Sequence, residues 1–291
     1  MSHIESALSG IAFFKDELLS RHTTFRIGGP ADYFVCPENT DELKRAVSAD
    51  DNVFIIGNGS NLLFPDDGYR GVVIKYCDSS IVLEGNKIIC GSGAIMSTIA
   101  SVAYENSLCG FEFASGIPGS IGGGVRMNAG AYGGSLDNVV VKTEYLDIET
   151  NDIRTVVGSE HGFGYRHSVF CDNPKWVITK VVLQLSKGDQ ADIKALMDDF
   201  TLRRTTKQPL RYPSAGSVFK RPEGYFAGAL IEQSGLKGYS VGGAQISELH
   251  AGFIINTGDA TCEDVKQLIK HIQKTVFEKF GVMLECEICI L

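Results

Sequence analysis

Three polar sites in this chain could carry chemistry. Ser217 lies among small neighbours in Ser214-Ala-Gly-Ser-Val-Phe219. It lacks the G-x-S-x-G elbow that exposes a hydrolytic nucleophile, which disfavours a serine nucleophile with a histidine partner. A serine can instead donate a proton, provided charged neighbours stabilise the alkoxide left behind. Arg166, in Gly164-Tyr-Arg-His-Ser168, could supply such charge, and Glu285-x-Glu287 places two acids on one face of an extended segment, where residues two apart point the same way. Each also has a plainer reading. An arginine in a turn is ordinarily solvated, and a serine after glycine is ordinarily a turn residue.

Two glycine-rich stretches could hold a ligand through backbone. Gly57-Asn-Gly-Ser-Asn61 follows the apolar run Val53-Phe-Ile-Ile56. The third glycine of a dinucleotide fingerprint is absent, since position 62 is Leu, and no G-x-x-x-x-G-K-[ST] occurs. What remains is a turn whose N–H groups could hold pyrophosphate without cationic side chains, or a plain tight turn. Eight of the 33 glycines fall between Gly116 and Gly134, interleaved with apolar Ile117, Ile121, Val125 and Met127, so this is a local backbone demand and not a linker. In Gly116-Ile-Pro-Gly-Ser-Ile-Gly-Gly-Gly124, glycine permits close approach of a bulky ligand and Pro118 stiffens the loop. Asn128-Ala-Gly-Ala-Tyr-Gly133 continues it. Two such loops suit an extended dinucleotide; tight packing is the competing explanation.

The elements that must position these groups follow from periodicity. Strands are expected at Asp32–Val35, Val53–Ile56 and Val72–Ile74, with a helix over Thr40–Val47, which makes a small α/β unit. A hairpin over Ile81–Ile89 turns at Gly-Asn, and a helix with Ile95, Ile99 and Val102 on one face follows. Val139–Leu146 pairs with Ile153–Val157, and Trp176–Leu185 alternates as a long strand, suggesting a larger antiparallel α+β domain. Asp189 or Asp192 caps a helix expected to bury Ile193, Leu196, Met197 and Phe200. Thr261-x-x-Asp264 is a capping box before the stripe Val265, Leu268, Ile269, Ile272, Val276 and Phe280, and Gly281 ends that helix. The terminal strand, Met283–Leu291, puts Leu284, Cys286, Ile288 and Ile290 opposite Glu285 and Glu287.

Bulk properties narrow the field. A net charge of −8 without a basic stripe argues against a nucleic-acid partner. No apolar run approaches the ~20 residues of a membrane span, and Met1–Phe14 has no positive n-region, so neither membrane nor secretory leader is expected. The eight cysteines suit a reducing compartment. Cys286-Glu-Ile-Cys289 invites a zinc or disulfide reading, but positions three apart on a strand face opposite ways and no second C-x-x-C completes a set, so no metal is expected.

Seven segments together resemble the UDP-N-acetylenolpyruvoylglucosamine reductase family, in the family's order and from about Leu18 to Ile290. They are His22-Thr-Thr-Phe-Arg-Ile-Gly-Gly-Pro-Ala31, Gly57-Asn-Gly-Ser-Asn-Leu-Leu63, Gly116-Ile-Pro-Gly-Ser-Ile-Gly-Gly123, Asn128-Ala-Gly-Ala-Tyr132, Gly164-Tyr-Arg166, Ala215-Gly-Ser-Val-Phe219 and Leu284-Glu-x-Glu287. The resemblance implies an α+β, FAD-binding fold of the vanillyl-alcohol-oxidase (PCMH) type. Its two flavin subdomains would be residues 1–75 and 76–200, with a smaller substrate-binding domain over 201–283 and a terminal strand, 284–291, that can return to the first. It implies non-covalent FAD, reduced by NADPH, which then gives hydride to the enolpyruvyl methylene of UDP-GlcNAc-enolpyruvate, making UDP-N-acetylmuramate in the cytoplasm for peptidoglycan. No obligate protein partner is implied.

By motif position Ser217 is the proton donor, while Arg166 and Glu287 polarise the carboxylate. Ile56, Gly57, Asn58, Gly59, Ser60, Asn61 and Leu62 would contact FAD, as would Gly116, Ile117, Pro118, Gly119, Ser120, Gly122, Gly123, Asn128, Gly130 and Ala131. Tyr165, Arg204, Lys207 and His250 would contact substrate. Lys220-Arg-Pro222 and Cys289 depart from the family's usual Lys-Asn-Pro and basic residue. The short interval from Arg166 to Ser217 suggests the family's second type, which lacks an inserted tyrosine loop and uses His250. The alternatives are another flavoenzyme of this fold acting on an alcohol or amine, which its own substrate would reduce, and a non-catalytic nucleotide-binding module, which would lack Arg166, Ser217 and Glu287.

The strand reading of the cysteine pair has a direct check. Cys286→Ser should lower thermal stability through loss of burial, Cys289→Ser should leave it nearly unchanged, and elemental analysis should find no stoichiometric zinc in the parent that either variant loses.

Overall fold

The computed structural model describes residues 3–291. The chain divides into two compact units. One comprises the residues up to Lys15, Tyr33–Asn58 and Gly71–Arg203; the other comprises Asp16–Asp32, Gly59–Arg70 and Arg204–Leu291.

The first unit holds two hydrophobic cores. In one, a four-stranded sheet runs in the order Ala12–Leu18, Pro30–Cys36, Tyr69–Lys75, Val53–Ile56, with Val53–Ile56 parallel to its neighbour. Helix Thr40–Val47 starts where the Asn39 side chain accepts the Glu42 N–H, and acids occupy its first turn, where the helix dipole favours them. It buries Leu43, Ala46 and Val47 in a core shared with Val35, Val72 and Ile74. The other core lies on a five-stranded antiparallel sheet ordered Asp152–Val157, Val140–Asp147, Trp176–Gln184, Lys87–Gly91, Ile81–Glu84. Its tight hairpin pairs Glu84 with Lys87, and Gly85 takes the positive φ (65°) that the turn requires.

Two helix faces differ from the sequence expectation. In Met96–Glu105 the buried residues are Met96, Ile99, Ala100 and Ala103. Ile95 lies outside the helix because its extended backbone bridges Ser120, and the helix begins where the Met96 N–H meets the Gly119 carbonyl. In the helix opened by Asp189, which accepts the Ala191 and Asp192 N–H groups, Ile193 is buried and Met197 and Phe200 are half-buried, but Leu196 is 46% exposed. At ~100° per residue, Met197 and Phe200 fall near the azimuth of Ile193 while Leu196 falls some 60° off it, at the edge of the stripe.

The second unit is organised by helix Cys262–Phe280. Thr261 Oγ1 accepts the Asp264 N–H and Asp264 Oδ2 accepts the Thr261 N–H, each at 3.0 Å, and Gly281 (φ 68°) ends the helix. Val265, Leu268, Ile269, Ile272 and Val276 are buried. A three-stranded sheet of Ser240–Val241, Ala244–Ile246 and Ile254–Asn256 packs with it. Of the expected terminal strand only Cys289–Ile290 forms a ladder, parallel to Leu62–Leu63; Cys286 forms a single bridge with Phe219. The expected alternation persists, with Leu284 and Ile288 buried and Glu285 and Cys289 exposed. No described helix is long and apolar enough to cross a membrane.

The revised helix face can be tested by urea unfolding. Ile193→Ala should cost about 2–5 kcal/mol, whereas Leu196→Ala should stay within about 0.5 kcal/mol of the parent.

Candidate active site

In the first unit the two glycine-rich stretches meet. Strand Val53–Ile56 delivers Gly57 and Asn58, and the Asn58 amide donates to the Pro118 carbonyl at 2.6 Å. A Cβ on Gly57 would lie 2.5 Å from Ser120 Oγ and 3.7 Å from the Gly123 Cα. The second half of the glycine run is not loop but the short helix Ile121–Arg126, with Ser120 as its N-cap. Its start is anchored by Ile121 N–H to the Ala94 carbonyl and Gly122 N–H to the Ser92 carbonyl. Packing explains two of its glycines: a Cβ on Gly122 would lie 2.8 Å from Ser92 Cβ, and one on Gly124 would lie 2.9 Å from both Leu136 and Met96. Gly123 differs, because a Cβ there would meet only Ser120 Oγ, at 3.5 Å. Packing within the fold therefore does not require glycine at 123. These segments fit the backbone cradle of an FAD.

Asn128 (φ 42°) joins the next two segments: its amide donates to the Gly164 carbonyl at 3.0 Å and its oxygen accepts the Asp137 N–H at 3.0 Å. Gly130–Ala131 pairs with Gly134–Ser135 around Tyr132, whose ring stacks on Phe200 at 4.6 Å. Arg166 sits at φ 55° within the Gly164–His167 turn, its Nη2 3.4 Å from the Gly130 carbonyl and its guanidinium over the ring of exposed Tyr165.

The second unit gathers Ser217, Glu287, Asn61 and His250. The Glu287 N–H donates to the Val218 carbonyl at 2.7 Å and the Lys220 N–H to the Glu285 carbonyl at 2.9 Å, so the two segments run side by side. On its other flank Ser217 bridges Phe253, and the Val218 N–H donates to the Gly252 carbonyl. Ser217 and Glu287 are both half-buried. His250 Nδ1 accepts the Gly252 N–H at 3.1 Å, and its ring meets Phe253 edge-on at 5.0 Å. Burial holds its pKa below the ordinary histidine value, so the ring is neutral near pH 7, with its proton on Nε2. The Asn61 amide donates to the Glu287 carbonyl at 3.0 Å. Gly59 needs no ligand to explain it, since φ is 62° and a Cβ would lie 2.1 Å from the His22 carbonyl. Ser60 and Leu62 flank Asn61, half-buried. Arg204, half-buried, and Lys207, exposed, occupy the last turn of helix Gln190–Lys207. Sequence reasoning missed Gly252 and Phe253, which hold both His250 and Ser217; a Gly-Phe pair carries no distinguishing signal.

Residues 208–291 match the C-terminal domain of UDP-N-acetylenolpyruvoylglucosamine reductase, and residues 31–157 match an FAD binding domain. The UDP-N-acetylenolpyruvoylglucosamine reductase of Caldanaerobacter subterraneus subsp. tengcongensis is 50% identical over 283 residues, 96% of this chain and 93% of that one. The crystal structure of UDP-N-acetylenolpyruvylglucosamine reductase from Thermus caldophilus superposes with a TM-score of 0.84 at 34% identity, over 96% of this chain and 98% of that one. A glucooligosaccharide oxidase of Acremonium strictum, at 11% identity and a TM-score of 0.50, covers 95% of this chain and 58% of its own; it shares the fold alone.

The three adjacent glycines should separate by experiment. Gly124→Val should lose roughly 1–3 kcal/mol through overpacking, measured by thermal unfolding of flavin-free protein. Gly123→Val should fold close to normally yet purify without flavin absorbance. A Gly123→Val protein with its full complement of FAD would remove that residue from the cradle.

Proposed function

The chain belongs to the UDP-N-acetylenolpyruvoylglucosamine reductase family, and on that premise we propose which of its residues carry the reaction. It is an α+β, FAD-dependent oxidoreductase of the PCMH type that uses NADPH to reduce UDP-GlcNAc-enolpyruvate to UDP-N-acetylmuramate for peptidoglycan. FAD, when bound, supplies the two-electron relay between NADPH and the enol ether.

Ser217 gives its hydroxyl proton to the carbon that bears the substrate carboxylate. Arg166 pairs with that carboxylate, where negative charge grows as the neighbouring methylene accepts hydride. Glu287 polarises the same group from the segment bonded to Val218. The observation that carries this reading is the main-chain pairing of the Ser217 and Glu287 segments, with 2.7 Å between the Glu287 nitrogen and the Val218 oxygen. Neutral His250 offers the substrate an Nε2–H donor without adding charge. Tyr165, Arg204 and Lys207 hold the rest of the nucleotide sugar, whose diphosphate suits cations.

Ile56 through Leu62, Gly116 through Ser120, Gly122, Gly123, Asn128, Gly130 and Ala131 hold FAD. Residues 1–75 and 76–200 act as its two subdomains and 201–283 as the substrate domain, although Phe25, Ile27 and Leu63 pack in the core of the last and Leu146 and Val177 in the core of the first. The enzyme works in the cytoplasm with no obligate protein partner.

Stopped-flow absorbance at the flavin band tests the role of Ser217. The purified protein should be yellow and bleach anaerobically with NADPH, and Ser217→Ala should bleach at nearly the parent rate. Its reoxidation by the enolpyruvyl substrate should slow by at least the ~10²–10⁴-fold typical of losing a general acid. Equal slowing of both half-reactions would mean that Ser217 shapes the flavin pocket and donates no proton.

A further inference from the structure

We propose that Cys36 and Cys77 are a reversible dithiol–disulfide pair, oxidised by low-molecular-weight disulfides of the glutathione class. Cys36 closes strand Pro30–Cys36 and Cys77 lies just beyond strand Tyr69–Lys75; the two strands are neighbours in the four-stranded sheet. The Cys77 N–H donates to the Pro37 carbonyl at 2.8 Å, and the two thiols are hydrogen-bonded to each other. Both side chains are half-buried, within reach of a small oxidant.

The Cys77 S–H donates to the Lys75 carbonyl at 3.1 Å, which leaves Cys36 as the donor to the Cys77 sulfur. That hydrogen bond is the main reason the Cys77 thiol is held at about 7; the charge of Lys75 assists, while burial and Glu38 oppose. The thiolate is the form that attacks disulfides, so Cys77 is the attacking thiol and Cys36 the resolving one. Other cysteines are shifted the opposite way. Burial and Asp78 push Cys90 up to about 12, and burial raises Cys262 and Cys286. Among the described residues no cluster of His, Cys, Asp and Glu could hold a metal, so the pair is no part of such a site.

The chemistry balances. The Cys77 thiolate attacks one sulfur of the oxidant, forming a mixed disulfide as the oxidant's S–S bond breaks and one small thiolate leaves. Cys36 loses its proton to solvent and attacks the Cys77 sulfur, closing the protein disulfide and releasing the second small thiolate. Two protein thiols are oxidised, one small disulfide is reduced to two thiols, and an excess of the small thiol reverses both steps.

The test treats the full-length flavoprotein with oxidised glutathione, alkylates the remaining thiols and maps the peptides by mass spectrometry. Cys36 and Cys77 should appear linked while the other cysteines are alkylated, and the rate should climb as pH rises through about 7. Cys36→Ser should accumulate a glutathione adduct on Cys77. Cys77→Ser should abolish the link and leave Cys36 taking up glutathione roughly tenfold more slowly at neutral pH than Cys77 does in Cys36→Ser. Circular dichroism checks each fold, and the alanine variants replace any serine variant that fails to fold. Glutathione settling on other cysteines while 36 and 77 remain alkylatable, or a stable wild-type adduct on Cys77 that never closes, overturns the proposal.

Discussion

The extended segment at the end of the chain satisfies backbone groups of two distant stretches of the second unit at once. Its Glu287 N–H goes to Val218, and its Cys289 and Leu291 N–H groups go to Asn61 and Leu63, while the Asn61 amide meets the Glu287 carbonyl. An unpaired buried backbone group costs about 1–3 kcal/mol, so these stretches stay in register together. The placement of Ser217 relative to Glu287 is thus a main-chain property. Changing the Glu287 side chain alters charge beside Ser217's segment without removing the main-chain bonds that hold it.

The first unit solves a different problem, bringing two glycine-rich backbones into close approach. Three consecutive glycines there have three environments. Gly122 and Gly124 are pressed against Ser92, Leu136 and Met96, whereas Gly123 lacks a protein neighbour that would exclude a side chain. The packing demand thus changes residue by residue within a single helical turn.

The thiol pair obeys the same logic of adjacency. Cys36 and Cys77 meet because two strands are neighbours in a sheet, and the hydrogen bond between them sets the acidity of Cys77 against the opposing effect of burial. The C-x-x-C motif, by contrast, has one half-buried and one exposed thiol, as a strand requires of positions three apart.

Read by itself, the amino-acid sequence determined whatever depends on near neighbours. The Thr261–Asp264 box and Gly281 bound their helix, the period-two runs other than the terminal one became strands, and the hairpin turned at Gly85, because capping bonds and backbone sterics act within a few residues. The motifs that identify the family are equally local strings. Tertiary structure alone decided what lies against what. It exposed Leu196, drew Ile95 out of its helix onto Ser120, made helix of an expected loop, and set Gly252 and Phe253 beside His250 and Ser217. Burial and approach depend on the surface opposite, which is supplied by residues far away in the chain, and no period or spacing along one segment encodes its partner.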